Sequence, residues 1–246
     1  MRHTSRPEIR GTFGVVTSTH WIATAVGMSI LERGGNAFDA AVACGLVLQV
    51  VEPHLCGPAG DMPAILHSAA TGGIEVVCGQ GVAPAGATID HYRAQGLDIV
   101  PGTGLLATVV PGAFDGWMLM LREHGSWTVA DVLAPAIHYA REGHPILPRV
   151  ADTIRAQAGF FRRSWPGSAE VWLPGGDAPE PWSLFRNPLL ADTYERIARE
   201  ATGAGGARRG SRRRGQPGRG ASWPRRSATS WSAPSCPTPR AACSAA

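Results

Sequence analysis

The chain has 246 residues, 44% of them apolar, which is enough to bury the core of one large or two small domains. No apolar run approaches the roughly 18 residues that cross a bilayer, so we exclude a membrane span. The net charge of +4 is uneven: residues 1–200 hold 14 Arg against 19 acidic residues, whereas residues 201–246 hold 9 Arg and no acidic residue. The mildly acidic larger part gives no support to nucleic acid as a partner.

The first ten residues and the cysteines bear on compartment and cofactors. The basic start is not followed by the apolar stretch and small-residue cleavage site of a secretory signal, which predicts a cytoplasmic protein. A misassigned start would leave the periplasm as the alternative. The five cysteines are odd in number, widely spaced and without a CxxC pair, so we predict no disulfide framework, no metal site and no cofactor.

The first elements are a short strand and two helices. Residues 14–17 are a β-type run, and the apolar spacing from Ile22 to Ile30 predicts a helix after it. Gly34 and Gly35 end that helix, and Asn36 can cap a second one that begins at Ala37. Because the second helix is rich in small residues and apolar all round, we expect it to be buried.

A turn-rich loop over residues 53–60 precedes two strand-like runs, 64–67 and 74–78, whose connection at 71–73 predicts a hairpin. In the helix expected over 128–142, Thr128 and Asp131 resemble a capping box. The pattern predicts further helices over residues 90–95, 113–124 and 188–200. Helices mixed with few strands indicate an α/β or α+β layered domain.

The composition changes near residue 200, which predicts a domain boundary between residues 1–200 and 201–246. From Thr202 onward there is no Leu, Ile, Val, Phe or Met, and we expect a disordered tail rich in Arg, Pro, Ser and Gly. GC-rich DNA translated out of frame produces this composition, and we favour that interpretation. A plain solvated linker and an RNA-binding arm are the alternatives.

Four polar features invite a chemical role. Asp39 suits the first turn of its helix, where a carboxylate meets the positive end of the helix dipole. Glu52 and His54 are either an acid/base pair or part of the loop structure, and we favour the loop. The glycines of residues 57–60 could present N–H groups to an anion, but no nucleotide-binding Lys-Ser/Thr follows them.

An ordered set of motifs covers about three quarters of the chain. The pieces are Gly34-Gly-Asn-Ala-Phe-Asp-Ala-Ala-Val42, Val51-Glu-Pro-His54, Gly57-x-x-Gly-Asp61, Ala83-Pro-Ala85, Val110-Pro-Gly112 with Gly116, Leu133-Ala-Pro-Ala-Ile137 with Gly143, and Asn187-Pro-Leu-Leu-Ala191. No single piece is decisive, but their order and spacing together are highly specific. The set resembles the large subunit of the γ-glutamyltranspeptidase family.

The resemblance implies a fold and a chemistry. Members of the family fold as the αββα sandwich of N-terminal nucleophile hydrolases, and each precursor cuts itself in two. The new N-terminal Thr of the second half is the nucleophile, with its own α-amino group as base. The implied reaction is hydrolysis or transfer of γ-glutamyl groups from glutathione-like amides.

Two departures from the family pattern are visible. The family has Arg within Gly-Arg-Glu-x-Ala-Pro, where it binds the α-carboxylate of the γ-glutamyl group, whereas this chain has Gln80 in that place and Gly81 in the place of the Glu. Gln80 offers neither charge nor a bidentate fork, so an acylase-like amidase acting on another amide is the alternative.

The second departure is that no threonine in the family's nucleophile setting occurs. Thr202, Thr229 and Thr238 lie in the tail and are assigned no role, so we assign no catalytic residue and expect a truncated, inactive chain with an incomplete sandwich. A non-catalytic subunit that binds a separately encoded second half is a further alternative. Without the second half, we expect unsatisfied sheet edges and apolar faces.

Overall fold

Two consecutive helices form the centre of the domain in the computed structural model, which describes residues 8–203. Helix α1 spans Trp21–Glu32 and helix α2 spans Ala37–Val51. Gly34, at φ +89°, lies in the link, where a left-handed conformation suits glycine. The Asn36 side chain accepts hydrogen bonds from two backbone N–H groups in the first turn of α2. The predicted glycine stop and asparagine cap are confirmed.

Helix α2 is buried nearly all round, as its composition predicted: 11 of its 15 residues are buried. Helix α1 packs against it, and so do α4 (Ala113–His124) and α5 (Val129–Glu142), while α8 (Pro188–Gly203) packs on α5. Each fully buried Val or Leu in such a helix stabilises the fold by about 1.5–3 kcal/mol. The main core is therefore built around α2.

A two-stranded hairpin lies against α4. Strand β1 spans Met62–His67 and strand β2 spans Ile74–Gly79, and they pair antiparallel, which confirms the predicted hairpin. One face packs inward, whereas Ile65, Ile74 and Val76 on the other face are 80%, 74% and 71% exposed. No described residue covers this apolar face, in agreement with the expectation of an unsatisfied sheet.

A smaller second core was not predicted. Helices α6 (Pro148–Ser164) and α7 (Pro166–Trp172) pack together, and the two-residue strands β3 (His144–Pro145) and β4 (Leu184–Phe185) pair beside them. The spacing of apolar residues along α6 and the proline in its first turn are sequence signals typical of a helix. The buried residues of this core are Ile146, Val150, Ile154, Ala158, Leu173 and Phe185.

The predicted first strand is wrong. Residues 14–17 form no strand ladder, because no strand among the described residues runs beside them. The exposure of the side chains alternates along these residues, as in an extended segment, but no ladder forms among residues 8–203. The helix expected over 90–95 forms one residue earlier, as α3 (Ile89–Ala94).

Within residues 8–203, no helix combines the length and the apolar character needed to cross a lipid bilayer. The predicted tail lies outside the described residues except for its first three, which complete α8. The boundary near residue 200 and the interpretations of the tail stay predictions.

Candidate functional site

Two of the glycine-containing motifs meet where strand β2 ends. The Val110 N–H donates a hydrogen bond to the Val82 carbonyl oxygen at 2.9 Å. A Cβ on Gly81 would lie 1.9 Å from the Val110 carbonyl oxygen, and a Cβ on Gly112 would lie 2.7 Å from that of Gly79. These positions require glycine because any side chain would keep the two backbones apart.

A third motif, the loop over residues 57–61, joins them. The Ala113 N–H donates to the Gly60 carbonyl oxygen at 2.9 Å, and the Gly81 N–H donates to Oδ1 of Asp61 at 3.4 Å. Asp61 belongs to one of the sequence motifs, but its contact with Gly81 could not be predicted, since no spacing rule links residues twenty positions apart. The candidate site consists of Asp61, Gln80 and the backbone of residues 110–112.

Gln80, the single substrate-binding residue predicted from the resemblance, is exposed in this site. The Cys78 thiol donates to its side-chain oxygen Oε1 at 3.6 Å, and its amide nitrogen has no hydrogen-bond partner among the described residues. Val82 and Val110 beside it are also exposed. Gln80 can therefore donate a hydrogen bond to a ligand in an apolar setting, without providing charge.

Glu52 and His54 are not joined by a hydrogen bond or ion pair within residues 8–203. The buried Glu52 carboxylate accepts a hydrogen bond from the Thr19 hydroxyl, and its backbone carbonyl accepts from the N–H groups of Leu55 and Cys56 at 3.0 Å each. Burial lowers the pKa of His54, against the opposite influence of Glu52. The geometry supports the loop interpretation of this turn over an acid/base pair.

Asp39 is a buried structural carboxylate. It is 0% exposed and accepts four hydrogen bonds: from the N–H of Asn36 at 2.9 Å, from the N–H and the hydroxyl of Ser126 at 2.8 and 2.6 Å, and from the N–H of Trp127 at 3.0 Å. Its oxygens are thereby well supplied with donors. Asp39 ties the start of α2 to the α4–α5 connection and is not available for catalysis.

Two further histidines are buried. Nδ1 of His20 accepts a hydrogen bond from the Ile22 N–H at 3.1 Å and so caps α1, and burial lowers the pKa of His20. Burial lowers the pKa of His144 to about 4, outweighing the opposite effect of the Tyr139 backbone. Both side chains are therefore neutral at pH 7, which suits structural positions.

The remaining sequence hypotheses concern ligands. Within residues 8–203 no three His, Cys, Asp or Glu side chains are grouped to hold a metal ion. The Gly60 N–H donates to the Gly57 carbonyl oxygen at 3.0 Å and the carboxylate of Asp61 follows, so the 57–60 loop does not present an anion site. Thr202 lies in α8, where its hydroxyl donates to the Ala198 carbonyl oxygen.

Comparison with known proteins identifies the same family as the sequence motifs. The family model for gamma-glutamyltranspeptidase matches residues 23–205. The glutathione hydrolase-like YwrD proenzyme of Bacillus subtilis is 37% identical over 197 residues, and an acylase ACY 1 proenzyme of Pseudomonas sp. strain SE83 is 34% identical over 204. These alignments cover 79% of this chain and 37% and 36% of the two relatives.

Two solved structures show the same fold. A protein designated LmbA2991HD is 54% identical with a TM-score of 0.79, over 82% of this chain and 35% of that one. The gamma-glutamyltranspeptidase of Helicobacter pylori is 30% identical with a TM-score of 0.74, over 81% of this chain and 58% of that one. The chain spans a little over a third of the curated relatives' length.

The likeness to the solved gamma-glutamyltranspeptidase assigns the helices and the β1–β2 hairpin to the N-terminal nucleophile hydrolase fold. The glycine motifs of the candidate site meet at the end of strand β2. The chain belongs to the gamma-glutamyltranspeptidase family, which has acylase relatives. The resemblance inferred from the ordered motifs is confirmed. The role of Gln80 stays a prediction.

Proposed function

We propose that this chain forms the N-terminal part of a self-processing enzyme that cleaves an amide bond of a small molecule. The observation that carries the proposal is the apolar outer face of the β1–β2 hairpin, which the described residues leave uncovered. In an αββα sandwich a second sheet covers such a face. A second half that brings this sheet would also bring the nucleophilic threonine.

Covering the face is energetically worthwhile. Burying a side chain such as Ile65 or Val76 contributes about 1.5–3 kcal/mol. Three such side chains on one small hairpin face therefore provide several kcal/mol toward association with the second half. This half is either the continuation of the same precursor or a separately encoded chain, and residues 1–246 would then serve as its binding subunit.

Gln80 distinguishes the two substrate classes that the family offers. A γ-glutamyl group carries an α-carboxylate that calls for a cation, and Gln80 provides a neutral amide. The family membership supports γ-glutamyl transfer or hydrolysis as the first candidate. Gln80 and its exposed valine neighbours favour the second candidate, an acylase-like hydrolase whose substrate lacks that carboxylate.

The test begins with the coding DNA. Sequencing across codons 195–215 and reading all three frames downstream would show whether another frame continues the family pattern to a threonine nucleophile. The corrected precursor should then cut itself into two chains, seen by mass spectrometry, and alanine in place of that threonine should abolish the cut. An intact, uncleaved precursor would contradict the proposal.

The matured enzyme is then assayed on paired anilides, one γ-glutamyl and one neutral acyl. We expect Gln80→Arg to raise the ratio of kcat/KM for the γ-glutamyl over the neutral substrate by about tenfold or more. Arg93→Gln, which removes a charge from α3, is the matched surface control. An unchanged ratio in Gln80→Arg would remove Gln80 from substrate binding.

A further inference from the structure

A groove lies between the end of helix α2, helix α7 and the start of helix α8, apart from the residues of the candidate site. Its volume is about 370 Å³, within the roughly 300–1,000 Å³ that is typical of small-molecule sites. Val171, Trp172 and Leu189 give it apolar walls, and Gln49 and Asn187 are among its polar residues. We call this space the α8 groove.

Gln49 lines the α8 groove with a buried amide. It is 3% exposed, and its Oε1 accepts a hydrogen bond from the Tyr194 hydroxyl at 2.6 Å. Oxygen and nitrogen share one amide carbon, so this bond places the NH₂ group beside α8, where it has no hydrogen-bond partner among residues 8–203. In the same residues, the enclosed side-chain nitrogens without a partner all belong to histidines, so solvent reaches the Gln49 NH₂ group. It is a donor available to a ligand.

Asn187 provides a second amide donor. Its Oδ1 accepts from the Leu190 N–H at 3.1 Å, which caps α8 and fixes the orientation of the amide, because only the oxygen accepts hydrogen bonds. The Asn187 NH₂ group has no partner among the described residues, and neither has the Leu189 N–H in the first turn of α8. The groove therefore presents donors from a buried amide, a capping amide and a helix N-terminus.

The charge of the lining selects among possible ligands, because no charged residue lines the α8 groove. A carboxylate entering it would lose its water without meeting a cation, and an ammonium group would meet hydrogen-bond donors instead of acceptors. A neutral carbonyl loses less hydration and accepts from the amide N–H groups. The complementary ligand is a neutral amide with an aliphatic body.

We propose that the α8 groove binds a small neutral amide, whose carbonyl oxygen accepts hydrogen bonds from Gln49 and Asn187 and whose aliphatic part lies against Trp172. No residue of the candidate site lines the groove. The proposal does not rest on the proposed function, since it needs neither the nucleophile nor the second half. Gln49 and Gly57 also line a smaller cleft that contains Asp61, so a bound amide contacts the wall between the groove and the candidate site.

The binding test uses the full chain and three probes with the same carbon skeleton: 3-methylbutanamide, sodium 3-methylbutanoate and 3-methylbutylammonium chloride, at matched ionic strength. Indole N–H signals are followed by two-dimensional NMR, with Trp172→Phe used only to assign the Trp172 signal. We expect saturable shifts of that signal with the amide and at least about tenfold weaker binding of the two charged probes. Equal binding of all three, or no saturable binding of the amide, would overturn the proposal.

Two groove variants and a control locate the site. Asn187→Asp keeps the cap of α8 and Gln49→Glu keeps the acceptor for Tyr194, but each replaces an NH₂ donor and should weaken binding of 3-methylbutanamide about fivefold or more. Gln95→Glu makes the same charge change at the exposed end of α3 and should leave binding unchanged.

Full binding in both groove variants, or equal weakening in Gln95→Glu, would contradict the assignment. Should Gln49→Glu fail to fold, Asn187→Asp decides, because aspartate caps a helix as well as asparagine does.

A segment of the second half is the other occupant that could fill the α8 groove. Titration of the matured enzyme with 3-methylbutanamide distinguishes the two. An affinity equal to that of the full chain would support the ligand site, whereas loss of binding would show that the groove is covered and would overturn it, with the proposed function left standing. A corrected precursor that stays uncut would instead overturn the proposed function and leave binding by the full chain unaffected.

Discussion

The helices around α2 and the β1–β2 hairpin differ in how completely they bury their apolar side chains. Around α2 the apolar side chains are enclosed, and even the carboxylate of Asp39 has four donors. The hairpin buries one face against α4 and leaves the other apolar and exposed. The helical part therefore encloses most of its apolar side chains, whereas the hairpin leaves one apolar face exposed.

If this comparison holds, the largest loss of stability comes from the Asp39 network. Asp39→Ala should lower the free energy of unfolding by about 3–5 kcal/mol, because three backbone N–H groups and a hydroxyl lose their buried acceptor. Urea unfolding followed by circular dichroism measures it. Asp131→Ala is the matched control: it removes the same capping-box position from α5, where it is exposed, and should cost only about 1 kcal/mol. Equal losses in the two variants would contradict the special role of burial.

Acid should weaken the second core next. The folded-state pKa of His144, about 4, lies below the ordinary 6.5, so the unfolded chain binds more protons between these values. The stability that depends on neutral His144 is fully present above about pH 6.5 and is lost as the pH falls toward 4. The total loss of free energy of unfolding is about 3 kcal/mol.

Urea unfolding at a series of pH values tests this. His144→Gln should reduce the dependence of the free energy of unfolding on pH between pH 6.5 and 4. The lowered pKa values of His20 and His54 should preserve part of that slope. His67→Gln, on the exposed end of β1, should leave the slope unchanged. A slope that survives in full without His144 would show that another group dominates.

Neighbouring residues of β1 test the two faces of the hairpin directly. Leu66 is 8% exposed and Ile65 is 80% exposed. Leu66→Ala should destabilise the chain by about 2–3 kcal/mol, whereas Ile65→Ala should stay within about 0.5 kcal/mol. In the matured enzyme we expect the difference between the two variants to become smaller, because Ile65→Ala should then also cost stability. Should Ile65→Ala destabilise the isolated chain as much as Leu66→Ala, the outer face is already covered.

The smallest effect concerns one buried hydrogen bond. The Tyr194 hydroxyl donates to Oε1 of Gln49 at 2.6 Å and fixes α8 to α2, and burial raises the pKa of Tyr194 well above its usual range. Tyr194→Phe should cost about 1 kcal/mol. A double-mutant cycle with Gln49→Leu should show that the two losses are not additive, since the double variant removes both polar groups.

Local patterns predicted most of the elements. Helices α1, α2, α4, α5 and α8 and the hairpin appear close to where apolar spacing and caps placed them, because those signals act within one or two turns. The predicted strand over 14–17 failed because a strand needs a neighbour. The pairing of β3 with β4 joins residues about forty positions apart, and strands of two residues are too short to show a sequence pattern.

The sequence by itself determined the family, the buried nature of α2 and the neutral Gln80, because each depends on residue identity or on short-range order. Only the tertiary structure decided that the Gly81 N–H bonds Asp61, that Ser126 and Trp127 donate to Asp39, and that Trp117 lies on Gly45. These contacts join residues between 20 and 88 positions apart. They exist because packing of helices and loops brings distant backbones together, and no periodicity in the chain records which segments will meet.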